Sequence, residues 1–116
     1  MLEKDWQKQV IDLATTLGYR YYHTHRSEKS PSGFPDLVLV GRRVVYLELK
    51  REKTQPTPAQ RDWLTALERA GAEVYLARPR HLQVLTLVLA RGDTGAREVL
   101  LEELQQHTHP RRKEAA

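Results

Sequence analysis

Gly33-Phe-Pro-Asp36-Leu-Val-Leu-Val40, then Gly41-Arg42, then Arg43-Val-Val-Tyr-Leu-Glu-Leu-Lys50 is the stretch whose reading decides the fold. Two short runs of valine and leucine separated by a glycine-containing tight turn predict a β-hairpin. Alternate side chains of a strand share a face, so Glu48 and Lys50 project together while Leu47 and Leu49 point the other way. A hairpin of this length brings Asp36, at the mouth of the first run, close to Glu48. Two carboxylates converging beside an ammonium, at the rim of an apolar sheet, suit a hard divalent cation and a phosphate better than a structural pair.

Upstream, Leu2, Trp6, Val10, Leu13 and Leu17 recur at three and four residues, which predicts an amphipathic helix stopped by Gly18. Tyr19 to Thr24 reads as a short strand, and His25 to Pro35 as a loop. Downstream, Lys53 to Pro58 is a second loop, and Thr57 with Pro58 predicts the start of a helix whose buried side carries Trp63, Leu64, Leu67 and Ala70. Gly71 ends it. Glu73 to Ala77 predicts a further buried strand. Leu82 to Ala90 fits helix or strand, its clustered leucines favouring a helix packed on the sheet. Ala96 to Gln106 predicts a last helix. The order is that of a mixed α/β sheet with helices on its faces. Residues 1–106 are read as one domain and 107–116 as a basic, flexible tail.

A chain of 116 residues with 40% hydrophobic content supports a single core. Nineteen basic residues against 15 acidic give a net charge of +4 and a pI near 9.6, which favours a polyanionic partner. Cysteine is absent, which excludes disulfides and thiolate zinc sites and suits a reducing cytoplasm. Apolar runs fall far short of a membrane span, so a soluble intracellular protein with no membrane partner is expected.

Glu3, Gly33-Phe34-Pro35-Asp36-Leu37, Glu48-Leu49-Lys50 and Gln60 with Trp63-Leu64 together resemble the VRR-NUC family of the PD-(D/E)XK nuclease superfamily, over roughly residues 3 to 80. The resemblance implies a restriction-endonuclease-like α/β core, a mixed central sheet flanked by helices in the order αβββαβα. It also implies a Mg²⁺- or Mn²⁺-dependent endodeoxyribonuclease without a small-molecule cofactor. Small stand-alone members are bacterial or phage-encoded and resemble Holliday-junction resolvases in acting as homodimers. Branched DNA, cut according to structure rather than sequence, is therefore the expected substrate. On the residues, the resemblance implies that Asp36, Glu48 and the backbone carbonyl of Leu49 ligate the cation, with Glu3 of the first helix beside them. Lys50 would lie near the attacking water and the scissile phosphate, and Gln60 would face the site from its helix.

Each residue also has a plainer reading. Glu-x-Lys on a strand is, in isolation, a solvated ion pair. Glu3 in a first helical turn favours the helix dipole without any catalysis, and Gln60 is equally at home as a solvent-facing helix residue. It is the combination with Asp36 and its Gly-Phe-Pro approach that favours an active site. Gln9 is a weaker candidate for the same cleft. Arg26, Lys29, Arg42, Arg43, Arg51 and Lys53, in the loops around the motif, are read as contacts to a DNA backbone. The pairs His23/His25 and His107/His109 are read as ordinary polar residues, and Trp6 and Trp63 as packing. Leucines after Arg80 (Leu82, Leu85, Val88, Leu89, Leu100, Leu101, Leu104) exceed the apparent need of one sheet face, which points to a dimer surface. The rival readings are a nicking, restriction or exonuclease-like enzyme of the same fold, and a non-catalytic nucleic-acid-binding module.

Overall fold

The computed structural model describes residues 1–25 and 28–109. Helix α1 (Glu3–Thr16) leads into the antiparallel strands β1 (Arg20–His23), β2 (Leu37–Val40) and β3 (Val44–Leu49). Helix α2 (Pro58–Arg69) crosses over to β4 (Glu73–Ala77), which runs parallel to β3. A 3-10 turn (Pro79–His81) then starts α3 (Leu82–Arg91), and α4 (Thr94–Thr108) closes the described chain. The ambiguous leucine-rich segment is thus a helix. The sheet order is β1-β2-β3-β4.

The predicted stops and caps have the expected chemistry. Gly18 takes φ 93° after α1. Thr57 and Gln60 form a reciprocal capping box at the start of α2, with Thr57 Oγ1 accepting from the Gln60 N–H at 3.2 Å and Gln60 Oε1 accepting from the Thr57 N–H at 2.9 Å. The hairpin turn is one residue wider than expected, since Val40 pairs with Val44 and leaves Gly41, Arg42 and Arg43 outside the ladder. The last helix runs on through Thr108, two residues into the expected tail. His107 is half-buried and Thr108 buried there, while residues 110–116 of that tail lie outside the described residues.

Alternation on the strands divides the core in two. Leu37, Leu39, Val45, Leu47 and Leu49 face α1 and α3, packing with Trp6, Val10, Leu85 and Val88. On the opposite face Tyr46, Val74 and Leu76 meet Leu64 of α2 and Leu104 of α4. Trp6 ties α1 to the sheet, its Nε1 donating to the Ala77 carbonyl at 3.1 Å. The surplus of leucines expected to form a dimer surface does not exist: Leu85, Val88, Leu89, Leu100 and Leu104 are buried within the chain, and Leu82 and Leu101 pack against the same cores. The physical reason is that both faces of the sheet carry helices, so two apolar layers are needed rather than one. Among the described residues no helix is long and apolar enough to cross a membrane.

Candidate functional site

Asp36 stands just before β2, and the register Leu37↔Leu47, carried one step back, sets it opposite Glu48. Its backbone and side chain are both anchored. The Thr24 N–H donates to the Asp36 carbonyl at 2.9 Å, Thr24 Oγ1 donates to the Pro35 carbonyl at 2.7 Å, and the Leu49 N–H donates to Asp36 Oδ2 at 2.8 Å. The approach through Gly33 is equally constrained. Gly33 has φ +97°, and a Cβ there would stand 2.6 Å from the backbone of Ala59, so only glycine lets the loop lie against the first turn of α2. Phe34 then packs edge-on against Trp63 (5.0 Å between ring centroids) and Tyr46 (6.0 Å).

Glu48 is fully buried, and neither carboxylate oxygen has a hydrogen-bond partner among the described residues. Lys50 Nζ lies 3.5 Å from Glu48 Oε2, a charge contact too long for a strong hydrogen bond, and Lys50 is itself 6% exposed. Burial, followed by the Asp36 charge, pushes the Glu48 carboxyl up to about 8, against the pull of Lys50. Burial also raises Asp36, opposed by the Leu49 N–H, by Lys50 and by His23. Glu3 raises both, so the first turn of α1 lies within electrostatic reach of the pair. Crowded carboxylates with unmet charge are the condition a divalent cation relieves. Among the described residues no three Asp, Glu or His side chains form a ready cage. Mg²⁺ asks for less, since one or two carboxylates suffice when water and phosphate oxygens fill the remaining positions.

The second sphere departs from the sequence reading. Gln9 is exposed, whereas Gln7, one turn from Glu3, reaches His23 with 3.1 Å between Gln7 Nε2 and His23 Nε2. Helical arithmetic carries that signal, because positions i and i+4 share a face while i and i+6 do not. Gln60 lies beside the Gly33 loop, but its Oε1 is engaged in the capping box, leaving only its amide NH₂ for another partner. The Thr57-x-x-Gln60 signature of that box was readable in the sequence. His23 and His25 stack at 4.7 Å, tilted by 59°.

A charged clamp that sequence reasoning missed holds the loop after Lys50. Arg78, 2% exposed, donates through Nη1 to the carbonyls of Arg51 (2.5 Å) and Thr54 (2.7 Å), and through Nε to Glu103 Oε2 (2.9 Å). Arg80 joins Glu52 at 2.6 Å and Glu103 at 2.9 Å. Arg78 follows the register pair Leu49↔Ala77, so the clamp stands directly beyond the Lys50 end of β3.

The predicted cations divide. Arg51 and Lys53 are exposed in the clamped loop next to Lys50, and Lys29 is exposed in the loop before Gly33. Arg26 lies outside the described residues. Arg42 and Arg43 are at the far end of the hairpin: β2 is four residues long, which separates the turn from Asp36 by about 13 Å. Arg43 is moreover turned inward, donating to Glu73 Oε1 at 2.7 Å and the Val88 carbonyl at 2.6 Å, so of the two turn arginines it is Arg42 that stands exposed.

The family model of the VRR-NUC domain matches residues 22–81. Among solved structures, a VRR_NUC domain protein superposes with a TM-score of 0.59 at 19% identity, over 67% of this chain and 78% of its own. Hjc, a Holliday junction resolvase from the archaeal hyperthermophile Archaeoglobus fulgidus, superposes with a TM-score of 0.50 at 24% identity, over 66% of this chain and 69% of its own. At these identities the likeness is one of fold, and it is the PD-(D/E)XK-type fold that the family resemblance implied. No curated protein matches the chain.

Proposed function

The chain belongs to the VRR-NUC family of nuclease domains, and from that premise we propose that it is a metal-dependent endonuclease selecting branched or Holliday-junction DNA by structure. The buried, unpartnered carboxylate of Glu48, opposite Asp36 and 3.5 Å from Lys50, carries this reading. Asp36, Glu48 and the Leu49 carbonyl would hold a Mg²⁺ or Mn²⁺, with Glu3 as the outer acid. Once bound, the cation supplies an acidified water and a clamp on phosphate oxygens. Lys50 orients the nucleophile and offsets charge growing on the phosphate. The Leu49 N–H fixes one Asp36 oxygen, leaving the other to face the cation. Gln60, through its NH₂, and the Gln7–His23 pair border the phosphate's path.

The basic residues next to Lys50 suit backbone recognition without base readout. Two nicks are needed to resolve a junction, and one chain has one such constellation. With the leucines consumed internally, the second copy is brought by the two-fold symmetry of the junction, giving a homodimer on DNA. We place this activity in a bacterial cytoplasm, the protein being encoded by the bacterium or by a phage within it. Cleavage of end-labelled linear, flapped and four-way DNAs with Mg²⁺, Mn²⁺ or EDTA tests the proposal. Paired nicks in the four-way junction that vanish in EDTA support it. Cleavage that persists in EDTA, or that consumes linear duplex equally well, overturns it.

A further inference from the structure

The face of the sheet that bears Asp36 and Glu48 is only partly roofed. Its cross-strand rows follow from the register: Arg20, Val40 and Val44 form one row, and Tyr22, Val38 and Tyr46 the next. The carboxylate row comes after that, with rows about 7 Å apart. Helix α2 and α4 pack on this face over Tyr46 and β4. Over β1, the end of β2 and the start of β3 the face stands open, with Tyr22 62%, Val40 42% and Val44 43% exposed. These are most of the large exposed apolar side chains outside the first two residues, gathered on one face and leading to the proposed site.

We infer that this open face is a stacking platform for unpaired nucleotides, with Tyr22 taking a base and the valines lying under sugars, and that it delivers a displaced strand to the carboxylate site. The inference rests on DNA being the substrate. An aromatic side chain standing out of an exposed sheet, flanked by arginine, is the arrangement with which sheet platforms hold single strands. Charge and size decide the occupant. The two rows contain no acid, while Arg20 lies in one of them and exposed Arg42 stands at its edge. Two copies meeting face to face would set arginine against arginine, whereas a phosphate backbone neutralises both. A stable dimer interface also draws on about 20–30 residues a side, several times what this face offers.

Binding is measured with the full chain in EDTA, so that cleavage plays no part, using a fluorescein-labelled single-stranded oligonucleotide and a duplex of equal length. Tyr22→Ala should weaken single-strand binding about 5- to 150-fold, the loss of one base–aromatic stack, and leave duplex binding almost unchanged. Tyr22→Phe should bind like the parent. Tyr21→Ala, on the other face of the same strand, should do so too. Unchanged single-strand affinity in Tyr22→Ala overturns the platform, as does an equal loss for both DNAs. Light scattering without DNA adds a further check: a dimer that Tyr22→Ala dissociates would assign the face to a second copy instead. A chain that binds single strands through Tyr22 yet cleaves nothing in Mg²⁺ would leave the platform standing and remove only the nuclease reading.

Discussion

Glu48 combines full burial, unpartnered oxygens and a neighbouring carboxylate, a state that only a positive charge or a proton makes comfortable. Two opposite outcomes follow from one substitution. Glu48→Gln should abolish cleavage, yet the cation-free protein should be about as stable as the parent at pH 7–8 in urea titration, because burial and Asp36 already hold much of the carboxyl protonated there, and relief of that crowding offsets the lost contact with Lys50. A loss of several kcal/mol (more than about 3) would mean that the carboxylate is a structural partner after all. Lys50→Ala should lower kcat by about 10²–10³-fold with a smaller change in DNA affinity, as loss of one preorganised electrostatic group does. Gly33→Ala should destabilise the fold by about 2–3 kcal/mol, since a positive φ and a contact at 2.6 Å are both violated. A Gly33→Ala protein with parental stability and activity would show that the Gly33 approach does not position Asp36.

At the scale of elements, the strength of the sequence signal tracked how local each interaction is. The hairpin was legible because alternation and a turn glycine are encoded within a few residues, and the partnership of Asp36 with Glu48 follows from hairpin register alone. The turn arginines lie farther from the carboxylates than their place in the sequence suggests, because the strand length carries them to the far end of the hairpin, where Arg43 turns inward and Arg42 stays exposed. The Arg78–Glu103 clamp had no local signal: its partners are 25 residues apart, and nothing in either segment announces the other. Burial raises the Glu103 carboxyl, but the Arg78 hydrogen bond and the charges of Arg78 and Arg80 outweigh it and hold the group below its ordinary value of 4.5. A depressed carboxylate contributes stability above its unfolded value and loses that contribution as pH falls through the folded one. Glu103→Gln should therefore be less stable than the parent at neutral pH, and the gap should close below about pH 4.5. Thermal melts of the two proteins across pH 3–7 measure this, and a gap independent of pH would remove the charge from the account. Arg78→Ala should cost about 3–5 kcal/mol, since it removes the buried partner of Glu103 Oε2 and the donor to the Arg51 and Thr54 carbonyls, leaving Glu103 with Arg80 on its other oxygen.

For the whole molecule, a net charge of +4 and the exposed cations beside Lys50 make DNA affinity an electrostatic quantity. Each phosphate neutralised contributes about −0.9 to the slope of log K against log salt on duplex DNA. Arg51→Gln with Lys53→Gln should flatten that slope by about 2, while Arg43→Gln should act on stability through Glu73 instead. Salt titrations of binding to a four-way junction separate the two effects. The central claim is that one constellation, Asp36 with Glu48 and Lys50, cuts DNA with the help of a divalent cation. Its most direct test is single-turnover cleavage of a labelled four-way junction by the parent and by Asp36→Asn, purified in parallel, with Mn²⁺ or Mg²⁺ titrated from zero. The account predicts cleavage that rises with the cation for the parent and none for Asp36→Asn, which still binds the junction. Parental rates in Asp36→Asn, or cleavage by the parent with no cation present, would contradict it.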